Sequence, residues 1–106
     1  MALTYDFKET IRKQAQEDPA FRQALLCEAV QTIVDGDLAT GKAVLRDYVN
    51  ATVGFQALEK STRIPAKSLM RMLGAKGSPS AVNLFNIVGA LRQQEGVSFE
   101  LAVKQP

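Results

Sequence analysis

Twenty residues in the middle of the chain, 54–73 (GFQALEKSTRIPAKSLMRML), constrain the fold more than any other stretch. A helical period carries Phe55 and Leu58 inward over residues 55–62 and breaks at Thr62-Arg63. Ile64 plugs the turn. Pro65, whose missing N–H is harmless at a first helical position, opens a second helix, and Gly74 ends it. The expected unit is two short helices joined by a tight turn, with the remaining residues holding it, pairing it or lending it a partner.

The flanking sequence is also written in helices. Residues 5–17 place Phe7, Ile11 and Ala15 at four-residue spacing among charges. Asp18-Pro19 is a start signal, a capping side chain followed by a proline suited to the first turn. The helix it starts runs to about residue 35. Its stripe of Phe21, Leu25, Ala29 and Ile33 is widened by Leu26 and Val30, and Gly36 is a natural left-handed stop. Two covers are open to that stripe: the rest of the monomer, or a second chain. Asp37 can cap a helix over residues 38–52, where Leu38, Leu45, Tyr48 and Val49 are the apolar positions. Gly41 weakens that helix's start by about 1 kcal/mol relative to alanine, and Gly54 ends it. After the loop AKGSPS, Ser80 can cap a last helix over residues 81–94, with Val82, Leu84, Phe85, Ile87, Val88 and Leu91 as a wide apolar face and Gly96 as its stop. From residue 97 the period changes to two: Val97, Phe99, Leu101 and Val103 alternate with Ser98, Glu100, Ala102 and Lys104, the pattern of a half-buried strand. Such a strand needs an edge from a symmetry mate or another protein, or else it is a loose tail with a few docked side chains.

The composition narrows what this chain can do. With 46% hydrophobic and 23% charged residues it can build a core. It contains no histidine, which removes the commonest general base and metal ligand and every His-dependent nucleophilic arrangement. No enzymatic activity, cofactor or metal is expected. The single cysteine, Cys27, cannot form an internal disulfide, so a reducing cytoplasm is the simplest compartment. No apolar run reaches the ~18 residues that a membrane span requires. Charge is distributed unevenly. Between Glu59 and Glu95 stand six cations (Lys60, Arg63, Lys67, Arg71, Lys76 and Arg92) and no carboxylate, whereas the remainder carries seven cations against eleven carboxylates. A basic segment on an acidic remainder is expected where one part of a protein faces a polyanion.

On a helical wheel of residues 66–74, Leu69, Met72 and Leu73 fall together with Ala66 at their edge, and Lys67 and Arg71 fall opposite, one turn apart. Arginine can read guanine bidentately, lysine suits guanine or phosphate, and methionine or alanine can touch a thymine methyl. The first turn near Pro65 favours an anion. Two short helices, a tight turn, a loop and a further apolar helix make up the helix-turn-helix plan. Residues 38–94 resemble a lambda-repressor-like (Cro-type) DNA-binding domain, and residues 54–91 resemble antidote (antitoxin) proteins of bacterial addiction modules. The matching features are Gly54, Leu58, Lys60, Thr62, Ser68-Leu69, Leu73, the Gly77-Ser78-Pro79 loop and the helix from Leu84 to Leu91, in register without a gap. Two positions depart from the family: Glu59 stands where a small residue is usual, and Arg63 where the turn usually has glycine. They lie four apart, in the orientation that lets them offset each other.

The expected fold is all-α with five to six helices: by the resemblance, a lambda-repressor-like domain with its helix-turn-helix over residues 37–96, and outside the resemblance an N-terminal helical extension (1–36) and a C-terminal tail or short strand (97–106). The resemblance implies a homodimer that binds a double-stranded operator and represses transcription, and, for an antidote, contact with a toxin protein. By position, the second motif helix enters the major groove with Ala66, Lys67, Ser68 and Arg71 as base readers. Gln56 contacts phosphate or base, and Lys76 completes the DNA-binding set. The competing expectation is a helical protein-interaction module that uses the 21–33 stripe or the tail, without important DNA contact.

Overall fold

The computed structural model describes residues 3–106, with side chains from Glu9 onward. Six helices follow one another: α1 (Leu3–Glu17), α2 (Pro19–Val34), α3 (Leu38–Ala51), α4 (Gly54–Thr62), α5 (Ala66–Met72) and α6 (Ala81–Glu95). The described chain is all-α. Phe7, the first residue of the expected N-terminal stripe, lies outside the described side chains. Ile11 is half-buried and Ala15 fully buried, as the four-residue spacing requires.

Local chemistry sets the helix ends. Asp18 Oδ1 accepts from the amides of Ala20 (3.0 Å) and Phe21 (3.3 Å), Asp37 Oδ1 from Thr40 (3.2 Å), and Ser80 Oγ from Asn83 (3.1 Å). Each thereby satisfies amides that have no partner within their own helix. Gly36 and Gly96 take the left-handed conformation expected of helix stops.

The core is one cluster, running from Leu26 and Ala29 through Leu45, Tyr48, Val49, Phe55, Leu58, Leu69 and Leu73 to Leu84, Ile87 and Leu91. The stripe on α2 is therefore covered within the monomer, chiefly by α3 and α1. Gly41 makes this packing possible. A Cβ there would fall 2.3 Å from Ile33 Cγ1 and 3.2 Å from the Ala29 carbonyl, so what costs helix propensity gains a close helix crossing. The wide apolar face read on α6 divides in the structure. Leu84, Ile87 and Leu91 are buried, Val88 is half-buried against the core, and Val82 and Phe85 stand 71% and 70% exposed.

A polar node crosses the core. Arg22 Nε donates to both oxygens of Glu95 (3.1 and 3.3 Å) and its Nη1 to the Ala15 carbonyl (2.8 Å), while the Tyr48 hydroxyl donates to Glu95 Oε1. The node joins α1, α2, α3 and α6. The Glu95 side chain is only 6% exposed, so its charge depends on these partners. Burial, reinforced by the hydrogen bond to the carboxylate, holds the Tyr48 phenol well above its ordinary pKa.

The tail takes the looser of its two expected forms within one chain. Residues 97–106 pair with no strand among the described residues. The alternation does survive at first, because Val97 and Phe99 are half-buried and Phe99 packs on the core. Arg92 Nη1 holds the Val97 carbonyl at 2.8 Å. Beyond that Leu101 and Val103 are 86% and 94% exposed. Alternation alone does not make a strand where no edge is offered to it.

Candidate nucleic-acid interface

The turn between α4 and α5 is fixed by its own backbone and three side chains. Arg63 adopts φ 63°, ψ 23°, and its amide donates to the Glu59 carbonyl at 2.7 Å, closing α4 in the left-handed conformation. The Thr62 hydroxyl donates to the Leu58 carbonyl (2.8 Å) and accepts from the Ile64 amide (3.2 Å), pinning the chain on both sides of Arg63. Ile64 packs against the core, as a turn plug should.

Pro65 is the residue before α5 rather than its first helical member, and it has no side chain with which to cap. Glu59 supplies the cap. Its Oε1 accepts the Ala66 amide at 2.7 Å across the turn. This corrects two expectations. Glu59 is not paired with Arg63: the ion pairs among the described residues are Arg12–Glu9 and Arg22–Glu95. The first turn of α5 already holds a carboxylate, so a phosphate is not drawn to it. Glu59, which stands where the resembled pattern has a small residue, thus anchors the start of the second helix.

Seven residues of α5 then divide by phase. Ala66 and Leu69 are buried, followed by Leu73, while Lys67, Met70 and Arg71 are exposed and Ser68 is half-buried. Among the expected readers, Lys67, Ser68 and Arg71 therefore reach the surface. Ala66 does not: it is 7% exposed and belongs to the core, because the Glu59 cap draws its backbone against α4. Met70, 46% exposed, stands beside the cationic face as its phase requires. Gln56 is exposed in the first turn of α4 and Lys76 in the loop after α5.

The far end of α5 is held by residues that local reading missed. Lys42, 5% exposed on α3, donates to the carbonyls of Gly74 (3.1 Å) and Gly77, and Arg46, one turn later, donates to the Leu73 carbonyl at 3.2 Å. Cations at a helix C-terminus meet its unpaired carbonyls and the negative end of its dipole. Gly77 lies so close that a Cβ would fall 2.0 Å from the Arg71 carbonyl and 2.6 Å from that of Met72. Only sequence separations of 27 to 35 residues link these partners, so no local pattern announces them.

Apart from Arg12, which pairs with Glu9, and the exposed Lys13 and Lys104, this use of cations separates the described basic residues into two groups. Arg22, Lys42, Arg46 and Arg92 are spent on internal carbonyls or Glu95. Lys60, Arg63, Lys67, Arg71 and Lys76 are all exposed and donate to no other described residue. The five come from one seventeen-residue segment that contains the turn and α5. Among the described residues no three carboxylates or thiols converge to hold a metal ion, and no helix is long and apolar enough to cross a membrane. No family model, curated protein or solved structure matches the chain.

Proposed function

We propose that the chain is a sequence-specific DNA-binding protein that lays α5 in the major groove as a dimeric transcriptional repressor of the antidote type. One observation carries the reading: the fold leaves the cations of residues 60–76 unpaired at the surface while it uses neighbouring cations as internal fasteners. Lys67 and Arg71 stand one turn apart on the outer face of a helix whose inner face is buried in the core. Two such donors suit guanine edges and phosphates, and Ser68 beside them can donate to either. Exposed Val82 and Phe85 on α6 support pairing of two copies, which a palindromic site requires. Contact with a toxin rests on the resemblance of residues 54–91 alone.

The test is duplex binding across a salt series. Binding should weaken steeply as salt rises, and Lys67→Ala with Arg71→Ala should abolish discrimination between a selected and a scrambled duplex while leaving the circular dichroism of the helices unchanged. A double variant that discriminates as the parent does would remove α5 from the groove.

A second reading draws on the tail. Leu101 and Val103 are almost fully exposed and alternate with polar residues, the pattern an edge strand of a protein partner accepts. Deleting residues 97–106 should then lower the mass of the assembly or its capture of a partner. An unchanged mass and unchanged capture would exclude the tail.

A further inference from the structure

We infer that Lys42, with Arg46 behind it, is the residue pair that positions α5, and through it Lys67 and Arg71, relative to the body of the protein; the DNA consequence rests on the function proposed above, whereas the mechanical one does not. The two cations are four residues apart on α3, so they lie on one face and reach the same neighbour. That neighbour is the carboxyl end of α5 and the loop after it. Lys42 Nζ meets the Gly74 and Gly77 carbonyls and Arg46 Nη1 meets that of Leu73, three oxygens within five residues.

The loop is shaped to bring them together. Gly77 folds back over the Arg71 and Met72 carbonyls at a distance no side chain tolerates, and its amide donates to Gly74 at 3.0 Å. The two oxygens thereby converge on one ammonium. Lys42 is 5% exposed and no carboxylate pairs with it among the described residues, so its charge is stabilised by backbone dipoles alone. A buried ammonium held this way is directional. It accepts only the arrangement of residues 73–77 that presents those carbonyls.

The opposite end of α5 is fixed by Glu59, whose carboxylate takes the Ala66 amide. The helix is thus gripped by an anion at its start and cations at its finish, each matched to the helix dipole. Apolar packing of Leu69 and Leu73 buries one face and sets the phase of the helix, leaving its two ends free to fray. The two polar grips remove that freedom. Base readout depends on side chains held within about half an ångström of their targets, so the grip bears on discrimination between sequences more than on general attraction to the polyanion.

The test uses full-length Lys42→Met, which keeps side-chain length and loses the charge, and Arg46→Gln, which removes only the outer, half-buried contact and covers the case in which the first variant does not fold. Lys42→Arg, which keeps a cation and its donors, serves as the rescue. Amide hydrogen exchange is expected to quicken about tenfold or more in α5 and residues 73–77, and to stay at the parent rate in α2 and α6, the pattern of a local opening. The affinity ratio between a duplex enriched by the parent from a random library and its scrambled counterpart is expected to fall about tenfold, the size of one good base contact, with Lys42→Arg restoring part of it. Equal acceleration in every helix, or none in α5, overturns the grip. Local acceleration with an unchanged ratio overturns its role in positioning. If the parent itself selects no duplex, the DNA reading fails, and the exchange pattern still decides the grip.

Discussion

Replacing Arg63 by glycine should make the protein more stable and, on the DNA-binding function proposed above, weaken its hold on DNA. Arg63 is the non-glycine residue at positive φ among those described, at φ 63°. A side chain in that conformation crowds its own backbone by about 1–2 kcal/mol, and glycine removes the clash. The Arg63 side chain donates to no other described residue, so its loss takes no hydrogen bond or ion pair with it, and the amide bond to the Glu59 carbonyl remains. Against this gain stands the greater freedom of glycine in the unfolded chain, about 0.4–1 kcal/mol. The net lies between about 0 and 1.6 kcal/mol, with a midpoint of roughly 0.8 kcal/mol, or about 3–6 °C in Tm for a domain of this size. Thermal and urea unfolding followed by circular dichroism would measure it, with the urea slope unchanged. If Arg63 also faces phosphate, the slope of duplex affinity against salt falls by about one contact. A Tm equal to or below that of the parent would refute the reasoning, because it would mean that the arginine side chain contributes more than its backbone strain costs.

Two further outcomes follow from the geometry. Gly77→Ala should destabilise by about 2 kcal/mol or more, since the new methyl meets backbone rather than a movable side chain; a loss below about 0.5 kcal/mol in urea unfolding would mean that residues 74–77 are not held as described. The Tyr48 phenol titrates higher in the folded than in the unfolded chain, so the stability it contributes is intact below pH ~10 and declines as pH rises through the folded value, at up to about 1.4 kcal/mol per pH unit. Tyr48→Phe should therefore be the less stable protein at neutral pH, by about 1–2 kcal/mol for the lost bond to Glu95, and should flatten the alkaline limb; parallel stability curves for the two proteins would contradict the buried hydrogen bond.

What could be read from the sequence was local. Asp18, Asp37 and Ser80 cap because an amide two or three residues on has no other partner, and that rule needs no knowledge of the rest of the chain. The phase of α5 gave Leu69 inside and Lys67 and Arg71 outside for the same reason. Ala66 sits at the edge of the wheel, where phase alone does not decide burial, and the fold takes it into the core beside the Glu59 cap. Glu59 looked like a departure from a pattern because its partner lies seven residues away across a turn. The fasteners Arg22–Glu95, 73 residues apart, and Lys42–Gly74, 32 apart, answer to no periodicity. In the tail the two-residue period holds as far as Phe99, but a strand is a relation between two segments, and the described chain offers the tail no edge.

The node of Arg22, Tyr48 and Glu95 bears on how this protein can change over evolutionary time. A recombination that exchanged the first two helices for unrelated ones would remove Arg22 and strand a carboxylate that is 6% exposed, a loss of about 3–5 kcal/mol, comparable to much of a small domain's stability. The same holds for a drift of Glu95 alone, which would leave Arg22 half-buried beside an apolar neighbour. The two positions are therefore expected to vary together, and the N-terminal helices to be inherited with α6 and the segment before it rather than shuffled independently of them.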